Sequence, residues 1–68
     1  MSNNTHWLAT EIRRIRLERG LSQITLANMA NVESSALGSF ELGRTQMQLA
    51  GIERVLDALD YEIDIHAK

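Results

Sequence analysis

The sequence predicts an all-α fold of four helices, with one β-strand added at the C-terminal end. Three observations carry this. Apolar residues recur three and four apart in successive stretches between Trp7 and Leu59. Gly20, Asn31 and Gly43 follow three of those stretches, and such residues accept the left-handed backbone that ends a helix. From Tyr61 to His66 the apolar period changes to two, which is a strand signal. The chain divides into a flexible leader (residues 1–6), a helical domain (7–59) and a strand or tail (60–68).

Sixty-eight residues make one small domain. Below ~70–80 residues a single core rarely supplies more than ~3–5 kcal/mol. The chain has no Cys, so neither a disulfide nor a Cys-based zinc site can staple it. Its two His lie far apart, which argues against a structural metal. Dimerisation is the remaining common stabiliser. No apolar run approaches the ~20 residues of a membrane span, and no signal peptide is expected. The lack of Cys fits the cytoplasm. The net charge is −2, an awkward sign for a nucleic-acid binder, but its distribution matters more. Residues 1–56 hold six Arg against five acids, giving +1. Residues 57–68 hold Asp57, Asp60, Glu62 and Asp64 against Lys68, giving −3. A surface in the first fifty residues can therefore be locally positive.

The leader is polar up to His6. Trp7, the only Trp, reads as a lid on the first helix or as a partner contact. Helix one is expected from Trp7 or Leu8 to Arg19, with Leu8, Ile12 and Ile15 as its stripe and Ala9 beside them. Leu17 falls off that stripe and is expected to be partly exposed. Arg13, Arg14, Arg16 and Arg19 form the densest basic cluster, either a solvated face or an anion-contacting one. Arg19 in the last turn favours the helix dipole, and Gly20 ends the helix.

Helix two opens at Ser22, a residue able to cap it. Its apolar positions are Ile24, Leu26, Ala27 and Ala30, with Met29 beside them. Asn31-Val32 makes the break, with Val32 plugging the gap between helices. Helix three runs from Glu33 or Ser34 to Leu42, with Leu37 and Phe40 inward, and Gly43 stops it. Two helices joined by so short a turn form a helix-turn-helix unit, whose second helix can lie in the DNA major groove. Gly38 sits inside helix three, where glycine costs ~1 kcal/mol relative to Ala. Either another backbone approaches there or the position is a weak spot.

Arg44-Thr45-Gln46 is a polar loop. Helix four is expected from Gln48 to Leu59. Its stripe of Leu49, Ile52, Val55, Leu56 and Leu59 should be buried against helices one and three, and Asp60 ends it. In the strand, Tyr61, Ile63 and Ile65 share one face. No second strand is available within the chain, so its backbone must pair outside it. The simplest partner is the same strand of a second copy, antiparallel about a two-fold axis. A register centred on Ile63 would oppose Glu62 to Asp64, which disfavours that register. A shifted register or a heterologous partner strand avoids the clash.

Little points to catalysis. His6 and His66 lie near the two chain ends, and Ser22, Ser34, Ser35 and Ser39 have no His in a triad-like context. No glycine-rich phosphate loop and no metal-ligand spacing is present. No enzyme, cofactor or metal is expected. Met29 and Met47 read as gap-fillers.

The ordered set Ile12-Arg13-Arg14-Ile15-Arg16, Arg19-Gly20-Leu21-Ser22-Gln23, Leu26-Ala27, Val32 and Phe40-Glu41-Leu42-Gly43-Arg44 resembles the lambda-repressor-like (Cro/Xre) helix-turn-helix family. The likeness spans Leu8 to Leu59. With a strand after helix four, the chain is also similar to HipB-type antitoxins, which repress their own operon as dimers joined by such strands. The resemblance implies roles by position. Gln23, Arg44 and its loop neighbour Thr45 would contact the DNA backbone; from their own place in the basic cluster, Arg13 or Arg14 would join them. Ser34, Ser35 and Ser39 would face the bases. Arg16 and Glu41 would form an ion pair between helices one and three. Tyr61, Ile63 and Ile65 would dimerise.

The recognition helix departs from the family's usual Arg, Lys, Gln or Asn, so bidentate purine readout is lacking. Small side chains allow close approach to the groove floor, with thymine methyls, water and DNA shape left to supply specificity. Glu33 is an acid suited to the helix dipole, or an acceptor for cytosine N4. The expected function is a cytoplasmic, nucleoid-associated, autoregulatory repressor that binds a palindromic operator as a homodimer. Its recognition helices would lie ~34 Å apart. The narrower likeness adds a cognate toxin as partner. The alternative is a protein-interaction module whose C-terminal strand docks a partner, with weak DNA binding.

Overall fold

A computed structural model describes residues 6–63. Four helices follow one another: α1 (His6–Glu18), α2 (Gln23–Ala30), α3 (Ser34–Glu41) and α4 (Leu49–Ala58). α1 takes in His6, one residue before its expected start at Trp7. No strand is present among the described residues. Tyr61 and Ile63 are described without regular structure, and Ile65 lies outside the described residues. A single strand has no ladder to join, so period-two patterning alone does not produce one.

All four helices end in the same way. The residue past each last turn is left-handed: Gly20 (φ 68°), Asn31 (φ 57°), Gly43 (φ 76°) and Asp60 (φ 63°). After each, the next backbone N–H reaches back to a carbonyl five residues earlier. These bonds run from Leu21 to Arg16, Val32 to Ala27, Arg44 to Ser39 and Tyr61 to Leu56, at 2.8–3.1 Å. This is the Schellman closure, which satisfies carbonyls the helix itself leaves unpaired. At the start of α2, Ser22 Oγ accepts from the Thr25 N–H at 3.0 Å, a cap worth ~1 kcal/mol. Arg54 on α4 donates from Nε to the Ala30 carbonyl at 3.1 Å, placing a cation at the C-terminus of α2.

The core draws on every helix. Ile12 from α1, Leu26 from α2, Leu37 and Phe40 from α3, and Val55 from α4 are fully buried, as is Leu59 just beyond α4. Each such side chain contributes ~1.5–3 kcal/mol by leaving water. Leu17 is exposed, as its place off the stripe implies. Three expectations need correcting. Ile24 and Met29 face solvent, because an eight-residue helix buries only the stripe of Leu26, Ala27 and Ala30. Leu49 is 61% exposed: it is the first residue of α4, and the buried stripe starts at Ile52. α4 also lies closest to α2 rather than to α1 and α3.

Candidate nucleic-acid interface

Asn31 and Val32 turn the chain between α2 and α3. Val32 is half-buried and packs on the core, closing the gap between the two helices. α3 anchors its inner side with Leu37, Phe40 and Glu41. Its other side is left to solvent. Ser34 and Ser35 are exposed, and Ser39 is half-buried. Ala36 and Leu42 are exposed too. Leu42 stands seven residues after Ser35, so it continues the same outward row. A helical projection of the sequence places Leu42 there, beside the expected serines. Glu33 occupies the N-cap position of α3, is exposed, and makes no side-chain cap bond.

α3 is held in place from α1. The buried Arg16 guanidinium grips the Glu41 carboxylate fork to fork, Nε to Oε2 and Nη2 to Oε1, both at 2.9 Å. Arg16 Nη1 donates to the Leu21 carbonyl at 2.8 Å. Gln23, at the start of α2, joins from the other side, with Nε2 donating to Glu41 Oε1 at 3.2 Å. Every buried side-chain polar atom among the described residues has a partner. The ionic knot therefore ties the ends of α1 and α3 to the start of α2 with no unsatisfied group.

Gln23 also explains Gly38. A Cβ at residue 38 would stand 3.0 Å from Gln23 Oε1. The close approach raised from sequence exists, but its source is a side chain and not a backbone. The Gln23 carboxamide is half-buried and committed inside the protein at its nitrogen. It acts first as a brace across α3.

The basic residues sort by what they already hold. Arg14 is taken up by two acids of its own helix. It donates to Glu18 at 2.7 Å and to Glu11 at 2.9 Å. The hydrogen bond from Arg14 holds the Glu11 carboxyl below its ordinary range. Arg19 reaches Asp60 at 3.7 Å and lies 5.7 Å over the Tyr61 ring. Arg13 and Arg44 are exposed, and no acid pairs with either among the described residues. Arg44 follows the Gly43 closure directly, and Thr45 beside it is exposed. A Cβ on Gly43 would meet His6 Nδ1 at 3.1 Å, so the start of α1 lies against this turn. Arg13 comes seven residues after His6, two helical turns along the same side of α1. Arg13 and Arg44 are thus free cations on elements flanking the end of α3.

The sequence-predicted set therefore divides. Ser34, Ser35, Arg44, Thr45 and Arg13 are open to an approaching polyanion, Ser39 is half so, and Gln23 is braced inward. The dimerisation set divides as well. Tyr61 and Ile63 are 46% and 44% exposed, and Ile65 lies outside the described residues. The family profile described as helix-turn-helix matches residues 12–65. No curated protein matches the chain.

Proposed function

Because this chain belongs to the lambda-repressor-like helix-turn-helix family, a DNA-binding fold of transcription regulators, we propose that it is a repressor that binds a palindromic operator as a two-fold dimer. The observation that carries the reading is α3 itself. Its inner side is locked to α1 and α2 by Phe40, Leu37 and the Arg16–Glu41 pair, while Ser34, Ser35 and Ala36 are offered to solvent. Arg44 and Arg13 supply phosphate contacts, and the serines and Ala36 meet the bases. The protein acts by binding and not by catalysis. Among the described residues no helix is long and apolar enough to cross a membrane. A repressor of this kind works on the nucleoid in the cytoplasm.

Dimerisation is assigned to residues 60–68, through backbone pairing of two copies of the Tyr61–Ile65 segment. The role of antitoxin within its own operon rests on the narrower likeness and on that C-terminal segment. A gel-shift titration on the protein's own promoter, at two salt concentrations, tests the reading. Binding should fall steeply with salt, because neutralised phosphates release their counterions. Absent or salt-insensitive binding overturns it.

A further inference from the structure

The end of the molecule built from α1, α4 and residues 61–63 carries a groove of about 270 Å³. Its floor is apolar: Leu8 and Ile15 from α1, Leu56 from α4, and Ile63. Trp7, 66% exposed, and Tyr61 form its walls. Six apolar side chains from three separate segments thus meet in one open cleft, the arrangement of an interaction surface and not of scattered surface residues. Its rim is acidic. Glu11 and Glu62 line this groove, and Glu53, Asp57 and Glu62 line the adjoining hollow of about 290 Å³ that shares Leu56, Tyr61 and Ile63. Among the described residues no cation lines either hollow. Of the α1 cations, Arg14 is engaged with Glu11 and Glu18, and Arg19, which lies over the Tyr61 ring, with Asp60.

That charge pattern selects the occupant. A second copy placed here about a two-fold axis would bring these acids against their own images, and like charges juxtaposed cost affinity. A basic partner meets no such penalty. The geometry points to a docking site for a basic amphipathic segment of another protein, whose apolar side chains enter between Trp7 and Ile63 while its Lys or Arg side chains reach Glu53, Asp57 and Glu62. The surface is separate from α3. If the 61–65 backbones pair, Tyr61 and Ile63 still share the groove face while Glu62 turns to the other, which leaves Glu11, Glu53 and Asp57 as the acidic rim.

Trp7 is the only Trp, so its fluorescence reports the groove directly. The probe is a synthetic amphipathic helix of about 18 residues, leucines on one side and lysines on the other. Its counterpart carries glutamates in place of the lysines. The lysine peptide should blue-shift Trp7 emission in a saturable titration, roughly tenfold weaker at 0.5 M than at 0.05 M salt. The glutamate peptide should leave emission unchanged. The triple variant Glu53→Gln, Asp57→Asn, Glu62→Gln should weaken lysine-peptide binding at least tenfold with an unchanged circular-dichroism spectrum, and Ile63→Ser should weaken it independently. Equal responses to both peptides, no response to either, or unaltered binding by the triple variant overturns the proposal. So does a blue shift on concentrating the protein alone together with doubling of its mass, since a second copy would then fill the groove. None of these readouts involves DNA, so failure in the gel shift and failure here are distinguishable.

Discussion

Arg16 and Glu41 face each other across 2.9 Å on both arms of the fork, 25 residues apart in sequence and almost fully buried. Such a pair sets an orientation more than it adds stability, because desolvation offsets much of the attraction. Removing one partner is different, since it leaves a buried charge uncompensated. Glu41→Ala should cost ~3–5 kcal/mol, which matches the whole stability expected of a domain this small. The double variant Arg16→Met, Glu41→Leu should recover a large part of that loss. Urea denaturation followed by circular dichroism measures both, and a Glu41→Ala protein within 1 kcal/mol of the parent would contradict the argument.

Gly38 gives a second, finer test. Alanine inside a helix is worth ~1 kcal/mol over glycine, but a Cβ there stands 3.0 Å from Gln23 Oε1. The obstructing atom is the tip of a flexible side chain, so Gln23 can swing away at the cost of its bond to Glu41. The two effects oppose each other. Gly38→Ala alone should therefore shift stability by less than ~0.5 kcal/mol, whereas in a Gln23→Ala background it should add close to the full ~1 kcal/mol. Equal effects in the two backgrounds would mean that the carboxamide does not constrain residue 38.

The helices were legible because stripe and stop signal agreed: Leu8, Ile12 and Ile15 before Gly20, Leu37 and Phe40 before Gly43. Periodicity says which residues share a side of a helix, but not whether anything faces that side. Ile24 and Leu49 fail for this reason, since the neighbouring elements do not reach them. The inward brace of Gln23 was hidden because it depends on a glycine fifteen positions away. The gathering of Trp7 with Tyr61 and Ile63 was equally hidden, since it exists only after α4 returns the chain to the start of α1. The strand expected from Tyr61 to His66 needs a pairing partner from outside the chain, and its second half lies outside the described residues.

Two of the four helix closures use residues with a Cβ in the left-handed region, Asn31 and Asp60. Asn tolerates this conformation and Asp does so less readily, while glycine adopts it freely. Asp60→Gly should therefore stabilise the fold by ~0.5–1 kcal/mol. Among the described residues the only contact sacrificed is the 3.7 Å approach of Arg19, made to a side chain 89% exposed, and pairs so exposed contribute little. Asn31→Gly should gain less, and Asn31→Val should destabilise. A thermal melt measures all three: a domain of this size moves by about 4–8 °C per kcal/mol. A lowered midpoint for Asp60→Gly would show that the Arg19–Asp60 contact outweighs the backbone strain.

The three exposed arginines of the DNA-facing hypothesis should behave differently from one another, because only two of them are free. Arg44 stands just past the Gly43 closure of α3, Arg13 lies along the side of α1 that meets the Gly43 turn, and among the described residues no acid pairs with either. Arg14 is also exposed and equally cationic, but Glu11 and Glu18 already hold it at 2.9 and 2.7 Å. The net field of that triad is negative, so it offers no counterion release on meeting a phosphate. Arg44→Ala and Arg13→Ala should each weaken operator binding roughly tenfold, the loss of one charge-assisted bond of about 1.5 kcal/mol. Each should also reduce the slope of log affinity against log salt by about 1, uniformly across DNA sequences. Arg14→Ala should leave the slope unchanged. Anisotropy titrations of a labelled operator at four salt concentrations separate these outcomes. If Arg14→Ala reduces the slope as much as Arg44→Ala does, the ion triad opens on DNA and pairing within the free protein is no guide to which cations touch phosphate.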